Sequence, residues 1–324
     1  MRSSHVGSFP LSYSDENIRR IIDDMAKIGL DVPPYPQLRS FIEIYLQPLE
    51  IHGVVYRNRE FFFSREELLD LTKVRYFHID DAEIAMKYIR ERNIVFKGIR
   101  APITGAFTLA SRIYLSEDIS KGISSTALAN KDILKMFFIG FVENMVRYVA
   151  ELGYNIIFID EPSLSLVIGR RRMLFNYREE DIVEYLDRVS SIGGVEFGIH
   201  ICGPIHRKIL EVVAQAPRIR YISLEFHDTS ENLEVIDRTI IEKYDKIISP
   251  GVVSAKKIQI EELDNILEIL RKSYEKTGGR IDLISGDCGF GGFRGVLKDE
   301  EREYMVAIKK LENIVKAIKQ FHIS

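Results

Sequence analysis

The chain has 324 residues, of which 46% are hydrophobic and 29% charged, with a formal net charge of -3. That balance implies no polyanion-binding surface, so nucleic acid is not an expected partner. No apolar run approaches the roughly 20 residues needed to span a bilayer, and the start carries no apolar leader, so no membrane partner is expected and a cytoplasmic location is. Two cysteines in so long a chain suit a reducing compartment, with thiols serving a metal or catalysis rather than a disulfide.

In chain order, helical periodicity covers 14–28 and 37–49, and a hairpin follows over 53–64 with its turn at Arg57-Asn58-Arg59. Helical patterns return at 65–74 and 81–92, and 94–100 reads as a strand. A long helix over 131–152 stops at Gly153, a residue suited to a helix C-cap. Beyond it strands and helices alternate: strands at 155–159, 195–199, 220–224, 246–248 and 281–284, and helices at 180–191, 205–215, 232–243, 260–277 and 298–321. Such alternation implies a parallel sheet with helical crossovers. With 5–7 and 54–56 as the first two strands the count is eight, which predicts one α/β domain over 1–324, a (β/α)8 TIM barrel. In that fold the active site lies at the C-terminal ends of the strands. Asp160, His200, Glu225, Gly251 and Cys288 all follow predicted strands at that end.

The two cysteines sit among these residues. His200-Ile201-Cys202 closes one strand, Glu225 ends another, and Gly286-Asp287-Cys288-Gly289 follows a third. His200 and Cys202 are two apart on an extended segment, so their side chains share a face. Thiolate, imidazole and carboxylate are the donors zinc prefers. Ligands drawn from three barrel strands, unlike the paired C-x-x-C of a structural knuckle, suggest a catalytic ion held by His200, Cys202, Glu225 and Cys288. Two thiolates make such an ion a poor source of hydroxide and a good holder of a substrate thiolate, because coordination deprotonates a thiol. That chemistry is alkyl transfer to sulfur. Gly7-Ser8, after the first strand, offers backbone donors and a hydroxyl suited to a carboxylate. Asp160, beyond a buried strand, offers a dock for an amine. His227-Asp228 follows Glu225, and the run 286–295 is glycine-rich enough to form a flexible lid.

Taken together, Ser4-His5-Val6-Gly7-Ser8-Phe9-Pro10, Ala101-Pro102-Ile103-Thr104, Ile159-Asp160-Glu161-Pro162-Ser163-Leu164, His200-Ile201-Cys202, Ser223-Leu224-Glu225, Pro250-Gly251-Val252 and Asp287-Cys288-Gly289 resemble the catalytic C-terminal barrel of cobalamin-independent methionine synthase, in its short single-barrel form. The resemblance implies a methyltransferase that converts homocysteine to methionine. It implies zinc on His200, Cys202, Glu225 and Cys288, and homocysteine on Val6, Gly7, Ser8 and Asp160, with Ser8 at its carboxylate and Asp160 at its ammonium. Asp160 and Glu225 are then the catalytic residues, the first fixing the amino acid and the second giving up its place as the acceptor binds.

The departures from that pattern fall mainly on the donor side. Folate-using members present a tryptophan after the Pro-x-Thr segment, whereas this chain has none and places Thr108 there. Ser254 and Lys256 stand where those members carry an aspartate and a histidine, and Gln37 stands in for a glutamate that helps to hold homocysteine. These differences lead to the expectation of a methylated corrinoid, free as methylcobalamin or carried on a protein, in place of methyl-tetrahydrofolate. Two other readings stay open: methyl transfer to a different thiol, such as a coenzyme thiol, and a partner half of a two-subunit synthase.

Overall fold

The computed structural model describes residues 1–74 and 77–321. Eight chain segments run parallel around a closed barrel. Five of them form one hydrogen-bonded sheet in the order β3 (Arg100–Thr104), β5 (Ile156–Asp160), β6 (Glu196–Ile201), β7 (Ile219–Glu225) and β8 (Ile247–Gly251). The other three join by single bridges. Residues 281–285 pair with β8 through Ile248↔Ile281 and Gly251↔Ser285, and with the N-terminus through Ser3↔Ile284. The first segment pairs with the second through Ser4↔Val32 and Ser8↔Gln37, and Pro34↔Arg100 returns the circle to β3.

The second barrel segment is therefore 32–37 and not 54–56. Its sequence, Val32-Pro33-Pro34-Tyr35-Pro36-Gln37, holds three prolines, which lack the N–H a continuous ladder needs. The barrel accommodates them with isolated bonds: Val32 N donates to Ser3 O at 2.9 Å, Arg100 N to Pro33 O at 2.8 Å and Gln37 N to Gly7 O at 3.1 Å. The 54–56 region belongs instead to a small sheet outside the barrel, made of β1 (Tyr56–Asn58), β2 (Phe61–Phe63) and β4 (Ile113–Tyr114). The hairpin is present, but it turns at Arg59-Glu60, with Arg59 in the left-handed region at φ 56°.

Other boundaries shift for local reasons. The strand expected at 94–100 starts at Arg100, and the helix expected from Gln37 begins only at Glu43, because Gln37 is bridged to Ser8. Segment 65–74 holds two short 3-10 turns, and helix 232–243 is interrupted between Val235 and Arg238. The long helix ends as expected at Gly153, with φ 104°, after a π-helical turn over Leu134–Phe138.

Val32, Ile156, Phe158, Tyr221 and Leu283 form one apolar cluster, to which four barrel segments contribute. The main core fills the space between the barrel and the surrounding helices, as the fully buried Ile157, Ile159, Ile199 and Ile222 show. In a strand, alternate residues face opposite sides, so Phe158 and Asp160 share the inner face one layer apart. No helix among the described residues is long and apolar enough to cross a membrane.

Candidate active site and metal centre

Lateral pairing sets Thr104, Asp160, His200, Ser223 and Ser249 side by side on consecutive strands. Cys202 lies just past β6, and Cys288 follows the last barrel segment. The sulfurs of Cys202 and Cys288 are 3.4 Å apart, and His200 Nε2 is 3.0 Å from Cys202 Sγ. These three donors converge within 4.8 Å of one another. Tetrahedral zinc with bonds of about 2.3 Å to sulfur places two sulfurs about 3.8 Å apart, so this cup fits zinc after a small expansion. The thiols are electrically coupled. Cys202 donates to Cys288, which stabilises the Cys288 thiolate and drives its pKa down, while the Cys202 proton is held correspondingly harder.

His200 Nδ1 lies 3.0 Å from Ser223 Oγ, so the ring nitrogen that does not face the thiols is fixed from behind. Sequence reasoning did not single out Ser223 for this role; its signal is the lateral pairing of two adjacent strands. Ser223→Ala is expected to lower zinc affinity about 10- to 100-fold without changing the fold, as read by metal competition together with circular dichroism.

Glu225 is not drawn into the close group. Its Oε1 accepts from Gly203 N at 2.7 Å, and its Oε2 accepts from Thr229 Oγ1 at 2.9 Å and from Lys256 Nζ at 3.3 Å. Its charge still reaches Cys202. Lys256, a position at which a histidine is expected in folate-using relatives, is thus the ion-pair partner of Glu225.

Two adjacent carboxylates, Asp160 and Glu161, are both buried, Glu161 completely and Asp160 with 8% of its surface exposed, and burial pushes both up to about 7. Their surroundings divide their roles. Glu161 accepts from Phe107 N, Thr108 N, Thr108 Oγ1 and Tyr185 Oη at 2.6–3.0 Å, which anchors the short helix Ala106–Ala110. Asp160 Oδ1 has no hydrogen-bond partner. Glu161 is therefore structural, and Asp160 is the group with capacity left for a ligand. Glu161→Ala leaves several buried donors unsatisfied at about 1–3 kcal/mol each; the expected result is a melting temperature lower by at least several degrees. The same contacts turn Thr108 into the core, so it offers no surface at the site.

Gly7, Ser8 and Gln37 meet at the barrel mouth. A Cβ on Gly7 would come within 2.8 Å of Gln37 Oε1 and 2.9 Å of Pro102 Cγ. Gln37 is buried and its Nε2 has no partner. Ser8 Oγ accepts from Gly291 N at 3.1 Å, and Ser8 O accepts from Phe290 N at 2.8 Å. Val6 is buried nearby. The glycine-rich run expected to be a flexible lid is instead pinned here: Phe290 and Phe293 are fully buried in a 3-10 turn.

Asp287 is a second residue sequence reasoning left without a role. Its carboxylate accepts from Phe226 N at 2.9 Å and His227 N at 3.0 Å, and also from Asp228 N. It ties the segment after β7 to the one that carries Cys288. His227 and Asp228 contact each other at 3.2 Å, and Asp228 Oδ2 accepts from Ser254 Oγ at 2.9 Å. They brace the loops behind the cup and supply no donor to it.

A closed eight-stranded α/β barrel with an imidazole–dithiol cup at the C-terminal ends of its strands defines the class of this protein. Residues 11–320 match the family model described as cobalamin-independent synthase, catalytic domain. Over 307 residues the chain is 22% identical to a methionine synthase of Sulfolobus acidocaldarius, covering 91% of this chain and 78% of that one. It is 23% identical to a methionine synthase of Pyrococcus abyssi, covering 72% and 59%. A third relative, the 5-methyltetrahydropteroyltriglutamate–homocysteine methyltransferase of Nitrosomonas europaea, is 21% identical over 86% of this chain, which spans 36% of that protein's length. Among solved structures the fold is shared with a B12-independent methionine synthase from Shewanella sp. W3-18-1 in complex with selenomethionine, at TM-score 0.67, 15% identity and 98% coverage of both chains. It is also shared with a methyltransferase from Methanosarcina mazei, at TM-score 0.66, 17% identity and coverage of 96% and 86%. The chain belongs to the cobalamin-independent methionine synthase catalytic-domain family and is a methyltransferase.

Proposed function

We propose that this protein moves a methyl group onto the thiol of homocysteine, forming methionine. The carrying observation is the convergence of Cys202, Cys288 and His200 beside the unpartnered carboxylate of Asp160. His200, Cys202 and Cys288 would hold zinc, with Glu225 as the fourth ligand after it leaves Gly203, Thr229 and Lys256. Zinc bound there supplies Lewis acidity that keeps an acceptor thiol deprotonated at neutral pH. Ser223 orients His200. Asp160 takes the acceptor's ammonium, and Val6, Gly7, Ser8 and Gln37 wall the acceptor against the N-terminal segment. Held in this way, the acceptor sulfur attacks the methyl carbon in line; the S–CH3 bond forms as the donor's bond to that carbon breaks, the demethylated donor leaves with the electron pair, and proximity supplies much of the rate.

For the donor, the expectation of methylcobalamin or a corrinoid protein rests only on Thr108, Ser254 and Lys256. The comparisons do not support it: the family is described as cobalamin-independent, and the Nitrosomonas relative is named for a methylated pteridine. Thr108 and Ser254 are both committed to internal hydrogen bonds. The test supplies the purified zinc-loaded chain with homocysteine and either methyl-tetrahydrofolate or methylcobalamin, and measures methionine. The expected result is methionine that depends on homocysteine and disappears after chelation. Turnover with the folate alone would remove the corrinoid expectation, and failure of the zinc-loaded chain to bind homocysteine would overturn the acceptor reading.

A further inference from the structure

Arg100 is a large, fully buried side chain at the start of β3, 0% exposed. None of its three guanidinium nitrogens has a hydrogen-bond partner, and among the described residues no carboxylate is within ion-pairing distance of it. Its Cζ lies 3.8 Å from the centre of the Phe158 ring. Phe158 is two residues before Asp160 on β5, one layer deeper in the barrel. Gly198 makes room for that ring, since a Cβ there would approach it to 2.5 Å. The guanidinium charge is felt by Asp160, Cys288 and Cys202, and the ring it rests on lies one layer below Asp160 on the same face of β5.

A buried guanidinium without a partner is strongly unfavourable, and its planar fork is matched to a carboxylate. Two other unpartnered groups belong to the C-terminal end of the barrel, above the ring on which the Arg100 guanidinium rests. Gln37 Nε2 is a second donor, at a side chain that meets Gly7 and Pro102, the latter two residues above Arg100. Asp160 Oδ1 is an acceptor. Donors for an anion beside a carboxylate for a cation are the complement of a zwitterion. Ser8, the residue expected at the acceptor's carboxylate, accepts from Gly291 N, and a Cβ on Gly289 would lie 2.1 Å from its hydroxyl; its O–H can still donate, so it supplements Arg100 and does not compete with it.

We propose that Arg100, with Gln37, binds the acid group of the thiol acceptor, and that this contact selects acidic thiols for the site. The assignment rests on the acceptor reading above. Acceptor binding to the zinc-loaded protein, measured by calorimetry, tests it without relying on turnover. The probes are homocysteine, its decarboxylated analogue, its deaminated analogue and mercaptoethanesulfonate. The wild type is expected to bind the decarboxylated thiol about 30-fold or more weaker than homocysteine. Arg100→Met is expected to weaken homocysteine by a similar factor with no further loss on the decarboxylated thiol, and Arg100→Lys to fall between. Equal loss on both thiols in Arg100→Met, or wild-type indifference to the carboxylate, would overturn the proposal. Should Arg100→Met not fold, Arg100→Lys and the wild-type series still decide. Arg100-dependent binding of mercaptoethanesulfonate in preference to homocysteine would keep this assignment and remove homocysteine as the acceptor.

Discussion

Cys288→Ser is expected to leave the barrel folded and to empty it of zinc, from about one ion per chain to a small fraction of that, with methyl transfer lost in proportion. Cys288 is one corner of a three-donor cup in which its sulfur is 3.4 Å from Cys202 Sγ. Serine keeps the shape and donates to the same neighbours, but its hydroxyl stays protonated where a thiol ionises and binds metal. The position is fixed from both sides. Asp287 before it is clamped to the backbone after β7, and Gly289 after it packs on Ser8. Misfolding is therefore not the expected cause of the loss. Metal analysis of the purified variant, with circular dichroism as the control, checks this; zinc retained at wild-type affinity would remove Cys288 from the ligand set.

Asp160→Asn is expected to raise the KM for homocysteine by about 30-fold or more, since truncating one partner of a buried charge pair costs about 2–5 kcal/mol, while kcat changes far less. The variant keeps the shape of the side chain and removes only its charge. A pH signature accompanies it. Burial pushes Asp160 up to about 7, against the opposing pull of His200 and Arg100. The ionised form is the one that pairs with an ammonium, so acceptor affinity in the wild type should rise as pH increases through about 7 and fall below it. In Asp160→Asn that inflection should vanish. Zinc content measured across the same range separates this effect from protonation of the cup. An inflection that persists unchanged in the variant would assign it to another group.

Much of this site was legible in the sequence because each donor ends a strand. His200-Ile201-Cys202 places two donors on one face by the two-residue period of an extended chain, Glu225 ends β7, and Cys288 follows the last barrel segment at the same end. The second barrel segment was not legible. Its three prolines suppress the ladder pattern that marks a strand, and Val54–Tyr56, with ordinary strand composition, drew the assignment away. Glu161 and Asp160 are neighbours with the same chemistry in sequence. Only the fold shows that the first is saturated by Thr108, Phe107 and Tyr185 while the second has an oxygen free.

The sequence by itself thus indicated the repeating βα order, the end of the barrel where the candidate site sits and four candidate donors, of which His200, Cys202 and Cys288 meet in the cup and Glu225 does not. The tertiary structure alone decided which groups are already committed. Glu225 is tied to Gly203, Thr229 and Lys256, Ser8 accepts from Gly291, and Arg100 rests on Phe158 with no hydrogen-bond partner. Hydrogen-bond saturation depends on residues tens to hundreds of positions away, and no local pattern in the chain encodes it.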